Sequence, residues 1–460
     1  MVSVTNMIPT LKGYKGAPTS SATSVSALAA ACQGSVTIVK LDGTSIRTFA
    51  GTSSHLYEIS GTSWVDRSRG GNYSIGAGKW RYCQFGDATI AANKANLLQA
   101  TTSGSFADVA SSPQANCMDV AQGFVMLGDT TEATYGDSPD RWWCSAIYDY
   151  TTWTPSVATQ ATTGRLVDVP GKITAMKALG ANFIAYKDRA MFIGQYIGPP
   201  LVWQWTMIPG EIGCASQEAV VSIGTEHIFI GASDIYRFDG SRPVSIGDGI
   251  REWFFGNMNT TWRSNIQGLH DRKNATVYFF YPTQSSASGQ CDACLVYHYK
   301  TNKWGHMTIG IESVSDFQTA SVSYDSSPGI FDVQTQAFDS PVFSGGIYIP
   351  SLFNTSHVLS SLTGITSNSS FTTWDIGNDW QFRTLRRARP RYIYRPTTGN
   401  MTNAYRNTPA ESMTSDQTVG SNNDAFDTMR EARWHRLTFA HTGNVELSGI
   451  SLDFMLGGTE

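Results

Sequence analysis

A short strand centred on an aromatic residue, followed by a polar turn and often a second aromatic, recurs along this chain. It reads LYEISGTSW at Leu56–Trp64, LLQATTSGSF at Leu97–Phe106, IYDYTTW at Ile147–Trp153 and IYRFDGSRP at Ile235–Pro243. It returns as VYHYKTNKW at Val296–Trp304 and IYI at Ile347–Ile349, with a degenerate copy, MFIG, at Met191–Gly194. Aligned on Tyr57, Gln99, Tyr148, Phe192, Tyr236, Tyr297 and Tyr348, the steps are 42, 49, 44, 44, 61 and 51 residues. Four-stranded blades of a β-propeller repeat at about 40–50 residues. The longest step contains PTQSSASGQCDAC (Pro282–Cys294), an insertion between strands.

A second marker keeps the same period. Two alternating apolar runs flank a Gly turn in Met118–Asp129, Ala175–Lys187 and Ala219–Gly231. Period-2 alternation around such a turn is the signature of a hairpin. Leu179–Gly180 and Ile223–Gly224 stand 44 residues apart, the step of the aromatic strands. A β-sandwich with evenly spaced strands is the competing reading. Two markers with one period favour an all-β chain built as a β-propeller of about six to seven blades.

The flanks differ from the repeats. Residues 1–34 are rich in Gly, Ser and Thr and read as an extended N-terminal arm, and residues 35–350 as the propeller. The stretch from about Pro350 to Trp380 reads as loop-like. Residues 351–460 form a C-terminal β-subdomain or strands that close the ring, with two antiparallel strands expected around Thr442–Gly443–Asn444.

Composition agrees with an all-β chain and narrows its chemistry. Hydrophobic residues make up 41% and charged residues 15%, the latter well below the roughly 25% of an ordinary domain. A weakly charged surface suits a protein packed against neighbours. Lys plus Arg number 33 against 37 Asp plus Glu, a net charge of −4. Sequence-independent duplex binding leaves a basic excess, which is absent here. The seven cysteines are odd in number and scattered, which argues against a disulfide framework and for assembly in a reducing cytoplasm. Ser21–Cys32 is apolar but lacks the basic lead of a signal peptide, and no apolar run reaches the ~20 residues of a membrane span.

Motifs for chemistry are sparse. Cys291 and Cys294, with His298 and His306 nearby, are the one pair with metal-like spacing, but a structural zinc site needs about four ligands and packed thiols are the simpler reading. No nucleophile elbow appears, and the repeated Asp-box of propeller glycosidases is absent. The sequence reading is therefore non-enzymatic, with no catalytic residue, metal or cofactor. The thirteen tryptophans suit the wedge-shaped core between blades better than sugar stacking. Arg383, Arg386, Arg387, Arg389, Arg391 and Arg395 form the sharpest charge feature. They read as a solvated or salt-bridged strand face, a contact with an acidic neighbouring subunit, or positive charge near passing DNA. Of the two functional readings the subunit contact is preferred, since guanidinium pairs carboxylates bidentately.

Several stretches together resemble the propeller-type tail hub, nozzle or stabilisation proteins of short-tailed bacteriophages, the podoviruses. They are NMIPTLKGYKGAP (Asn6–Pro18), WRYCQFGDATIAAN (Trp80–Asn93), MDVAQGFVMLGDT (Met118–Thr130) and IYRFDGSRPVSIGDGIREWFFGNMN (Ile235–Asn259). LVYHYKTNKW (Leu295–Trp304), RARPRYIYR and ARWHRLTF also fit. The resemblance implies a homo-oligomeric ring, sixfold in this family, in the tail of the virion. Such a ring sits below the portal and adaptor, prolongs the DNA-ejection channel, touches passing viral DNA transiently, and offers a mount for fibres or spikes. The family has no catalytic residues to carry over. The alternative is a receptor- or glycan-binding propeller module of the tail. In a tail ring, the loop bearing Pro282, Gly289 and Asp292 and the region Pro350–Asn378 are candidates for gating or docking.

Overall fold

The computed structural model describes residues 3–41, 43, 45–318, 348–366 and 368–459. Five four-stranded antiparallel sheets follow one another along the chain, spanning residues 35–66, 81–108, 114–165, 175–208 and 220–245. Each is a meander in which sequential strands pair, the arrangement of a propeller blade. Among the described residues there are five such blades, fewer than the six to seven expected.

The overcount has a physical origin. In four blades and in the meander that follows them, the aromatic marker is the third strand: Leu56–Ser60, Asn96–Thr101, Met191–Gly198, Ile235–Phe238 and Cys291–His298. In the third blade it falls instead in the loop after the third strand, Gly136–Cys144. The Tyr297 marker lies in a meander (Gln267–Asp271, Thr276–Tyr281, Cys291–His298, Lys303–Gln318) that is not a separate blade. Its last strand runs for 16 residues and pairs on with Met7–Pro9 and Tyr348–Asn354, so the meander is one arm of a twelve-stranded sheet. The Tyr348 marker opens a strand of that same sheet rather than a seventh blade. Ile347, its first residue, lies outside the described residues.

The meander closes the circle between the fifth and first blades. Ser35 Oγ donates to the Val314 carbonyl at 2.9 Å, and Gly268 backs onto Val221 so closely that a Cβ there would stand 2.1 Å from its Cγ2. Between blades the wedge is filled by large apolar side chains. Trp142, Phe183 and Trp203 pack between the third and fourth blades, and Phe229, Phe279 and Tyr297 between the fifth and the meander.

The C-terminal residues form a β-sandwich. One layer orders Ser3–Thr5, Asn368–Thr372, Trp434–Thr442 and Thr398–Arg406; the other orders Tyr14–Gly16, Glu446–Thr459, Gln381–Tyr394 and Phe426–Ala432. Alternation sets the faces: His435, Leu437, Phe439 and His441 point inward from one strand, toward Leu385, Ala388 and Phe426 of the other layer. The stretch expected to be loop-like instead carries the strands Tyr348–Asn354, Leu359–Gly364 and Asn368–Thr372. Its Ser- and Thr-rich segments have weak periodicity of their own. Pairing with distant partners holds them, Ser351 opposite Ser315 and Phe371 opposite Phe439.

The N-terminal segment laces the two parts together. Met7 pairs with His306 of the meander, Tyr14 with Leu447 of the sandwich, and Thr19–Ala22 with Leu359–Gly364.

Candidate functional site

The first strands of the blades and meander surround a polar axial cavity of about 440 Å³. Arg81 and Glu218 meet across it, Nε to Oε1 at 2.7 Å and Nη2 to Oε2 at 3.1 Å. Arg81 Nη1 also donates to Asn116 Oδ1 at 2.6 Å. Burial alone would raise the Glu218 pKa; the charges of Arg81 and Lys79 outweigh it and bring it down to about 2. Asn116 continues the network outward, donating to Asp129, which takes Lys94 Nζ at 2.5 Å. Gln217 is a second clamp: its amide donates to the Met118 and Met176 carbonyls at 3.0 and 2.7 Å and accepts from Met176 N–H at 2.7 Å. These polar groups are matched to each other, so the axis works as a fastener of blades. Sequence reasoning missed the cluster, because Arg81 and Glu218 are 137 residues apart and neither stands in a motif.

The arginine segment is resolved into three settings. Arg383 is half-buried where Gln381–Tyr394 enters the sandwich, and its carbonyl accepts from His435 Nε2 at 3.1 Å. A bulge at Arg386 turns Arg386, Arg387, Arg389 and Arg391 all to the exposed side, while Leu385, Ala388 and Pro390 face the core. Arg395 lies past the strand end and pairs with Asp424 at 2.8 Å. Of the four exposed arginines, Arg387 pairs with Asp427 at 2.5 Å and Arg391 Nε donates to Ser451 Oγ at 3.0 Å. Among the described residues Arg386 and Arg389 have no hydrogen-bonded side-chain partner. Arg386 and Arg387 share a hollow with Asp427, Asp453 and Met429, the last 74% exposed.

The loop between Thr276–Tyr281 and Cys291–His298 is strapped down. The Pro282 carbonyl accepts from Asn259 N–H at 2.9 Å, and Asp292 accepts from the Thr283 amide and hydroxyl at 2.8 and 2.7 Å. Gly289 has φ +75 and sits so close to Trp262 that a Cβ would come within 2.4 Å of its ring. Its carbonyl takes Asn265 Nδ2 at 2.9 Å. These bonds fasten the loop to the short helix Arg251–Asn257 and the turn that follows it.

Cys291 and Cys294 share a face because a bulge intervenes, and both enter the apolar cluster around Tyr278 and Phe280. Burial pushes the Cys291 thiol up to about 12 and Cys294 well above its ordinary value. Cys291 Sγ donates to the Asn265 carbonyl at 3.3 Å. All seven cysteines are buried and unpaired. Among the described residues no group of three or more His, Cys, Asp or Glu converges in a metal-holding arrangement, and no helix is long and apolar enough to cross a membrane.

No family model matches the chain, and no curated protein does. Solved structures do. The extracellular domain of a hybrid two-component system from B. thetaiotaomicron matches at a TM-score of 0.41 with 10% identity, covering 83% of this chain. The chain spans 44% of the length of that structure. The Pan2 WD40 domain of Neurospora crassa matches at 0.37 with 8% identity, covering 72% of this chain and 90% of its own. The Cps50 (Swd1) β-propeller domain of Myceliophteria thermophila matches at 0.38 with 9% identity, covering 61 and 89%.

Proposed function

We propose that this chain is a structural, non-enzymatic subunit of a short-tailed phage tail, acting as one member of a homo-oligomeric ring below the portal and adaptor. Two things support the reading: the sequence resemblance to tail hub and nozzle proteins, and the exposed face of Gln381–Tyr394. That face is the observation that carries it. Arg386 and Arg389 are exposed without a hydrogen-bonded side-chain partner among the described residues, and Arg386 shares its hollow with exposed Met429; Arg and Met are enriched where proteins meet one another. A strand backed by a packed sandwich holds these side chains in a fixed array, which lowers the entropic cost of docking. The mechanism is mechanical: stiff subunits associate permanently, and the genome passes through the space they enclose.

Sedimentation velocity of the purified 50.1 kDa chain tests the interface. The chain should form a discrete ring-sized species, and R386E/R389E should return it to monomer with its melting temperature unchanged. A monomer at all concentrations, or a ring indifferent to the double change, would remove the arginine face from the account.

A further inference from the structure

A groove of about 370 Å³ lies where the N-terminal hairpin, the closing meander and the sandwich meet. Lys12, Lys15, Lys273 and Lys300 line it, with Leu11, Ile393 and Tyr394. The lysines come from three places far apart in sequence: Lys12 from the turn after Met7–Pro9 and Lys15 from the strand Tyr14–Gly16 that follows it, Lys273 from the turn after Gln267–Asp271, and Lys300 from the turn after Cys291–His298. Each turn is hydrogen-bonded within itself. Thr10 N–H donates to the Gly13 carbonyl at 2.9 Å, Asn274 N–H to Asp271 Oδ1 at 3.1 Å, and Thr301 N–H to His298 Nδ1 at 3.2 Å. The backbone positions that carry these lysines are therefore ordered before anything binds.

The groove carries an excess of positive charge, four lysines against one carboxylate. One carboxylate lines it, Glu446, which accepts from Thr10 Oγ1 at 3.1 Å. Among the described residues thirteen arginines pair with Asp or Glu, whereas Lys94 is the one lysine of the chain's eleven that does so. What marks the groove is that four of the chain's lysines gather around one hollow, in a chain of net charge −4.

The apolar lining is exposed as well. Leu11 is 68% and Tyr394 60% exposed. The cross-strand pairing of Tyr394 with Glu446, and of Lys15 with the same residue, brings the Tyr394 position alongside the cations.

We infer that this groove binds single-stranded nucleic acid without sequence preference. Lysines supply point charges for successive phosphates, and Tyr394 supplies a platform for a base. That combination of a basic track and a stacking aromatic is what such binding requires. Duplex would engage the charges but leave the aromatic unused. An acidic peptide would also meet the lysines without needing the exposed ring. The inference stands apart from the proposed ring, since it uses none of the arginine face.

Fluorescence anisotropy of the full chain with a labelled oligo-dT tests it. Four phosphate contacts predict a log–log salt slope of about −3 for a single strand. K12E/K273E/K300E should weaken binding at least ~tenfold and flatten the slope, with an unchanged circular dichroism spectrum, because all three side chains are exposed. Y394A should weaken binding by roughly tenfold and leave the slope in place. The inference fails if the labelled strand does not bind at low salt, if the triple change has no effect, or if duplex or poly-glutamate binds as tightly as oligo-dT.

Discussion

Arg81 sits with about a tenth of its side chain exposed, its guanidinium shared between Glu218 and Asn116. Desolvating that charge costs several kcal/mol unless the partners repay it, and here a bidentate carboxylate and an amide oxygen do so. Removing one partner strands the other. Arg81→Met should destabilise the fold by about 3–5 kcal/mol, whereas R81M/E218M should recover most of the loss. Chemical denaturation of the three proteins decides between this and a pair of no consequence. The single and double changes costing the same would show that Glu218 is not held by Arg81. The other notable residue-scale feature, the arginine run, was visible in sequence as a density of charge. Its division into buried, exposed and paired members was not, because the bulge at Arg386 breaks the alternation that assigns faces.

At the scale of elements, the N-terminal segment does more than its composition suggests. Its Gly-, Ser- and Thr-rich sequence gives little sign of burial, yet Met7 and Ile8 are 0 and 3% exposed and their strand bridges propeller and sandwich. Deleting residues 1–16 should cost ~4 kcal/mol or more, given what loss of two buried aliphatic side chains costs. It should also split the melting endotherm into separate transitions for the two parts. A truncated chain that melts as one unit at the original temperature would contradict the lacing role. The repeated strands show where sequence was enough: the hairpins at Ala175–Lys187 and Ala219–Gly231 are the first two strands of their blades, and clean alternation identified them. The count failed at Tyr348, where a strand has blade-like chemistry but pairs into the large sheet. The weakly patterned strands at 359–372 failed for the opposite reason, having no local signal and long-range partners. The groove lysines gave none either, since Lys12 and Lys273 become neighbours only when the meander meets the hairpin.

For the whole molecule, two packed parts tied by one threaded segment make a stiff body. Inter-domain motion is the default when interfaces are small; here backbone hydrogen bonds run from Lys303–Gln318 through Met7–Pro9 and Tyr14–Gly16 into Glu446–Thr459 as one sheet. Stiffness of this kind favours symmetric assembly, in which each contact is repeated around the axis. In the proposed ring the exposed arginine face is the surface that would make that contact. The central claim is that the chain is a ring subunit of a phage tail. Quantitative mass spectrometry of purified phage particles encoding it measures this most directly. The account predicts a copy number per particle equal to a single ring, six in the family it resembles. Absence of the chain from the particles, or a copy number far above one ring, would contradict it.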